Sequence, residues 1–174
     1  MNPLHERARL NGEDRGEELP AGYLPVKWQA SGPGDPGEIL LKSRTLLSLV
    51  LEGASEPWPE VHEWALRFPA WFLRQCAPER SRADEESWLR EWRSLPEPER
   101  ARMAAEKPWS LSGWIYWFRP ENRTWFWWRA QVMDARSLQV HLAAPGWPYP
   151  SGAFRWMMRA SGADRIEEGH GQNP

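Results

Sequence analysis

An α+β fold is predicted, with five or six helices packed on a small antiparallel sheet. The sheet is built around a β-hairpin at about residues 124–143, and a C-terminal helix follows it. Three observations point there. Two stretches alternate with the period of a strand on either side of a short polar turn. Capped apolar stretches of helical period occupy most of the preceding chain. At 174 residues and 20.3 kDa the chain is long enough to bury a core without disulfide staples.

Residues 1–20 are charged and almost free of large apolar side chains after Leu10, which predicts a disordered tail. A single α+β domain is expected over residues 21–163 and a flexible polar tail over 164–174. Residues 23–30 read as a strand. Pro25 lacks the amide hydrogen a central strand needs, so this strand is expected at an edge. Asp35, Pro36 and Glu38 then form a helix-start signature, and the apolar face of Ile39, Leu40, Leu46, Leu47, Val50 and Leu51 runs to a stop at Gly53.

A second helix beginning near Pro59 carries Val61, Trp64, Ala65 and Phe68, and Pro69 breaks it before a short segment with Trp71, Phe72 and Leu73. Ser81 or Asp84 caps a third, in which Trp88, Leu89, Trp92 and Leu95 share a face. Residues 96–107 form a polar surface helix with only Ala101, Met103, Ala104 and Ala105 to bury. Ser110 opens another helix, with Leu111, Trp114, Ile115 and Phe118 inward and Pro120 as its stop.

In the hairpin, residues 124–132 place Phe126, Trp128, Ala130 and Val132 on one face, with Trp125, Trp127, Arg129 and Gln131 on the other. Residues 137–143 place Leu138, Val140 and Leu142 opposite Gln139 and His141. Matching the apolar faces pairs Val132 with Leu138, Ala130 with Val140 and Trp128 with Leu142, across a turn of Asp134, Ala135 and Arg136. The other face then carries Trp125, Trp127, Arg129 and His141. The stiff loop that follows supplies Trp147 and Tyr149, and Ser151 caps a last helix closed by Gly162.

These six residues, Trp125, Trp127, Arg129, His141, Trp147 and Tyr149, are the candidate binding residues, because Trp, Tyr and Arg dominate interface hot spots. The competing reading is that helices cover both sides of the sheet and the Trp are core.

Net charge is −2 but unevenly spread. Residues 111–163 hold 6 basic against 2 acidic side chains, while residues 1–110 hold 15 against 19. The Arg excess, 19 against 3 Lys, is also what a GC-rich genome encodes.

Catalytic and metal motifs are missing from the pattern, so no metal, cofactor or catalytic residue is assigned. His62 and Glu63 start a zincin-like helix, but Leu66 stands where the second His ligand is required. Cys76, the one cysteine, has Arg74 and Arg80 nearby to favour a thiolate; the plainer reading is an ordinary free thiol at a helix end. No stretch reads as a secretory signal or a membrane span, which predicts a cytoplasmic protein.

Pro120 to Ala130, with Gly146-Trp-Pro-Tyr-Pro150 and Ala160-Ser-Gly-Ala163, resembles small Trp-rich bacterial proteins, some of them met as immunity partners of toxins. The resemblance covers about a third of the chain and carries no catalytic motif. It implies a binding role. The leading expectation is therefore a non-enzymatic protein-binding module, and the resemblance implies an immunity-type inhibitor of a protein partner. A single-stranded nucleic-acid binder stacking bases on Trp is the second reading. A small-ligand protein or enzyme using His141 beside Arg129 is the third.

Overall fold

One antiparallel sheet of four strands organises the computed structural model, whose described residues are 3–13, 18–54, 57–106 and 108–169. Its strands are β1 (Leu24–Ser31), β2 (Phe126–Val132), β3 (Ser137–Ala144) and β4 (Arg165–Gly169), in the order β2-β3-β1-β4. Eight helices accompany them among the described residues. They are α1 (Pro3–Leu10), α2 (Pro36–Gly53), α3 (Val61–Arg67), α4 (Ala70–Leu73), α5 (Arg82–Ser94), α6 (Glu97–Glu106), α7 (Leu111–Tyr116) and α8 (Gly152–Ala160). The α+β class and the hairpin with a helix after it are as the sequence predicts.

Local signals explain most helix boundaries. Asp35 caps α2 by accepting from the Gly37 amide at 2.9 Å, and Ser81 and Ser110 cap α5 and α7 in the same way. Pro69 separates α3 from α4. Ser151 occupies the cap position of α8 without making the side-chain bond. Gly162, at φ +116°, ends that helix, and its carbonyl comes so close to Gly32 that a Cβ there would lie at 2.5 Å. That contact joins the end of α8 to the end of β1, where any larger residue would push them apart.

Leu138, Val140 and Leu142 on β3 are fully buried in one core with Leu46, Leu47 and Val50 of α2 and Phe154, Met157 and Met158 of α8. An aromatic chain extends this core sideways. Trp64, Phe68, Phe72, Trp114, Phe118, Trp125, Phe154 and Trp28 follow one another with ring centroids 4.7–5.9 Å apart, tying α3, α4 and α7 to the sheet and α8. The Trp-rich character of the sequence is thus the character of its core.

Four expectations are corrected. The tail expected over residues 1–20 includes α1, which packs along the outer edge of β2. Glu6, 1% exposed, pairs with buried Arg123 through both carboxylate oxygens and accepts the Trp127 amide at 2.6 Å. The Arg9 guanidinium carbon lies over the Trp128 ring, 3.4 Å from its centroid, and Arg7 reaches Glu52 at 2.8 Å. Leu10 enters the core at 1% exposure, and the charged side chains add anchoring that apolar periodicity does not register.

Second, β1 is an inner strand. Its pairing with β3 runs from Leu24 to Ser31, but β4 pairs only with Lys27 to Ser31, so Pro25 lies where just one neighbour is present. Third, residues 165–169 of the expected polar tail form β4; its single buried apolar residue, Ile166, sits opposite Ala30. Residues 170–174 lie outside the described residues.

The fourth correction is a register shift between Trp127 and Arg129. Val132–Leu138, Ala130–Val140 and Arg129–His141 pair as expected, but Trp127, not Trp128, opposes Leu142. Regular alternation would bury either Trp128 or the pair Trp125 and Trp127. The bulge lets Trp125 and Trp127 go inward while Arg129 and Gln131 stay out, and it turns Trp128 aside under Arg9. Two Trp burying 150–250 Å² each at about 25 cal/mol per Å² give roughly 4–6 kcal/mol apiece, which outweighs one broken ladder position.

The turn lacks a glycine, yet no non-glycine residue there takes positive φ. Asp134 closes it instead, its carboxylate accepting from the Arg136 amide (2.7 Å), the Ser137 amide (2.9 Å) and the Ser137 hydroxyl (2.7 Å). These bonds hold its carboxyl below the usual range, the Arg136 amide most strongly.

Candidate functional site

The structure divides the six candidate residues. Trp125 and Trp127 are core, at 1% and 0% exposure, and are withdrawn as contact residues. Tyr149 is also buried; its hydroxyl accepts from Trp28 Nε1 at 2.8 Å, and burial pushes its phenol well above the ordinary range. Trp147, edge-on to Tyr149 at 5.8 Å, stays 70% exposed. Arg129 is exposed and His141 half-buried, and they meet across the hairpin as expected.

What the sequence did not place is the strand beside them. β1 brings Lys27 opposite His141 on its other side, so Arg129, His141 and Lys27 form one row across three strands. The next row is Gln131, Gln139, Gln29 and Glu167, and the one after it ends in Ser137, Ser31 and Arg165. On this side of the sheet Lys27, Gln29, Arg129, Gln131, Arg165 and Glu167 are exposed while Ser137 and Gln139 of the inner strand β3 are buried, so the face meets solvent along β2, β1 and β4. At the Leu24–Ala144 end, Tyr23 packs on Phe126 at 5.5 Å, Leu24 is exposed, and the loop bearing Trp147 departs.

His141 Nε2 lies 2.7 Å from Gln139 Oε1. An amide oxygen only accepts, so Nε2 carries the hydrogen. Burial first, then the charges of Arg129 and Lys27, hold the imidazole below its ordinary pKa of 6.5. Arg165 pairs with Glu167 at 2.8 Å. Among the described residues, neither Lys27 nor Arg129 has an ion-pair partner. Lys27 sits between Val26 and Trp28 in a readable alternation; its parity was visible in the sequence and its neighbour was not.

The other chemical candidates resolve plainly. Glu63 accepts the Glu60 amide at 2.8 Å as a helix cap, with His62 exposed beside it. The Cys76 thiol is pushed up to about 11 by burial and then by Glu79, the opposite of an activated thiolate. Among the described residues no three of His, Cys, Asp and Glu gather as a metal-holding group, and no helix is long and apolar enough to cross a membrane. An open groove of about 830 Å³ lies at the opposite end of the sheet, between Gly32, Gly34, Arg136, Asp164 and Arg165. Its wide mouth and charged lining differ from the enclosed apolar pocket of a small-molecule site. His141 and Arg129 stand on the flat sheet and not in that groove.

Comparison with protein-family models, with curated proteins and with solved structures gives no match for this chain.

Proposed function

We propose that this protein is a protein-binding module that presents the solvent-facing side of its sheet, together with Trp147, to a partner. The observation that carries the reading is the ordered face itself. Two cationic groups, Arg129 and Lys27, stand in register on either side of a neutral imidazole and beside a row that holds three amides, with an exposed Trp leaving one end. The sheet holds the backbone of these residues in place before binding, and Trp and Arg are enriched among interface hot spots.

Area sets a requirement. Four strands about 4.8 Å apart and some five residues long project on the order of 300 Å². Even doubled for side-chain relief this falls short of the ~800 Å² per partner typical of a stable complex, so the contact extends to the end that holds Trp147. Base stacking on Trp, the basis of the nucleic-acid reading, loses its support because Trp125 and Trp127 are interior. Immunity-type inhibition of a toxin, which the sequence resemblance implies, is one activity such a surface serves.

The test is affinity capture from the native cell with wild type and with the combined variant Lys27→Ala, Arg129→Ala and Trp147→Ala, whose sites are all exposed. A protein retained by wild type and lost by the variant is expected. Measured with that purified partner, affinity should fall thirtyfold or more, about 2 kcal/mol. Identical retained sets refute the surface. Salt-sensitive binding of a labelled oligonucleotide transfers the reading to nucleic acid.

A further inference from the structure

Resting on the protein-binding reading, we propose that the Arg129–His141–Lys27 row takes an acidic, extended segment of the partner, and that proton uptake by His141 tightens the contact. The first part follows from unbalanced charge. Arg129 approaches His141 from β2 and Lys27 from β1, and on its own strand the imidazole meets only the neutral Gln139. Both charges that bear on His141 are positive. On β4, Glu168 stands opposite Trp28 on the side that bears on Tyr149, and Glu167, the carboxylate on this face, is in the next row, two strands from His141 and engaged by Arg165. Opposite Lys27 on that strand stands Gly169, which adds no charge. Among the described residues the row is therefore short of negative charge.

Spacing narrows the ligand. Adjacent strands lie about 4.8 Å apart, so Arg129 and Lys27 stand roughly 10 Å apart with His141 between them. In an extended peptide, side chains two residues apart point the same way at about 6.8 Å. Two carboxylates at that interval, reached by the long Arg and Lys side chains, bridge the row and lie over the imidazole. An Asp/Glu-x-Asp/Glu segment fits this geometry.

The second part follows from His141 lying between the two cations. Unbound, the imidazole is neutral at pH 7, because burial and its two neighbours hold its pKa below 6.5. A carboxylate above it favours the imidazolium, so the bound state takes up a proton. By linkage, affinity rises as pH falls through and below 6.5, until the carboxylates themselves protonate near pH 4. The free protein shows the opposite sign. A depressed folded-state pKa means stability that is full above pH 6.5 and declines as pH falls through the lowered value, a loss the acidic segment offsets.

The experiment titrates the intact protein against a rhodamine-labelled Glu-Ser-Glu-Ser-Glu peptide and its Gln-Ser-Gln-Ser-Gln counterpart by anisotropy, at pH 7.5 and 5.5 in low salt. The Glu peptide should bind and the Gln peptide should not. Binding should tighten roughly three- to tenfold at pH 5.5, the ceiling being tenfold for each unit by which the imidazole pKa rises. Lys27→Ala and Arg129→Ala should weaken it at both pH values, and His141→Gln should bind without the pH response. The His141 ring-proton resonance, followed by NMR in wild type, should titrate at higher pH with the peptide present. Equal affinity for both peptides, or binding of neither, overturns the acidic segment. An equal pH response in His141→Gln, or an unmoved titration, overturns the proton coupling. Failure of the capture experiment with the peptide still bound would instead count against the protein-binding reading.

Discussion

Replacing Glu6 by Ala tests whether α1 belongs to the fold. Its carboxylate is 1% exposed, holds Arg123, itself buried, and accepts the amide at the β2 bulge. Removing it leaves a buried guanidinium without its counter-charge, which costs about 3–5 kcal/mol. It also leaves the Trp127 amide without its acceptor, about 1–3 kcal/mol more. These terms overlap, so a total of about 4–6 kcal/mol is expected. For a chain of this size that lowers the melting midpoint by roughly 8–24 °C. Glu6→Gln keeps one oxygen for the Trp127 amide and Arg123 Nη2 but loses the charge and turns an amide donor toward Arg123 Nη1, so it should recover only part of the loss. Converting both partners, Glu6→Met with Arg123→Met, removes the stranded charge and should recover part of the loss. Urea unfolding followed by Trp fluorescence, with far-UV thermal melts, measures all three. Glu6→Ala within about 1 kcal/mol of wild type would refute the docking of α1 against β2.

Trp127→Ala should cost about 3–5 kcal/mol in the same assay, while Arg129→Ala stays within about 0.5, since the first side chain is core and the second is solvent-facing; similar costs would mean the bulge is misplaced. Val140→Asp should prevent folding, whereas Val132→Asp, on the same face at the exposed hairpin end, should lower stability by no more than about 1 kcal/mol; equal melting points refute that contrast. Replacing residues 81–106 with a short Gly-Ser link should leave the melting midpoint within a few degrees, because the Ala77–Ser110 bridge and the bonds from Ser112 to Glu79 close the neck below α5 and α6; an unfolded product shows that these helices are required by the core. Iodoacetamide at pH 8 should modify Cys76 on the order of a hundredfold more slowly than a free cysteine, since a thiol pKa of about 11 leaves roughly one thiolate in a thousand; a rate near that of free cysteine contradicts its burial.

Helix starts were legible because one side chain makes each, as at Asp35, Ser81 and Ser110. The hairpin register was legible up to Arg129 because Leu138, Val140 and Leu142 alternate cleanly with polar residues. Beyond it, Trp125 to Trp128 is apolar throughout, so no alternation marks which residue a bulge will turn aside. β4 escaped for the opposite reason: Arg165, Glu167 and Glu168 surround a single inward Ile166, the charged character an edge strand needs to resist pairing with another chain. α6 formed as expected.

The charge of residues 111–163 misled in an instructive way. Read along the chain, six Arg among many Trp look like one basic aromatic surface. In the fold they disperse: Arg123 goes inside to Glu6, Arg119 lies near the Trp58 ring, Arg155 near the Trp28 ring, and Arg136 sits in the hairpin turn. Only Arg129 joins a cationic row, and its companion Lys27 comes from the more acidic part of the chain, about a hundred residues earlier. The row exists because β1 enters the sheet beside β3, with β4 closing its far side. Segment charge reports on association only when a segment forms a surface by itself; here strand order assembles the surface. Strand order is set by which buried faces fit together, Trp28 and Ala30 of β1 beside Val140 and Leu138 of β3, and so the solvent-facing charges are placed by the residues behind them.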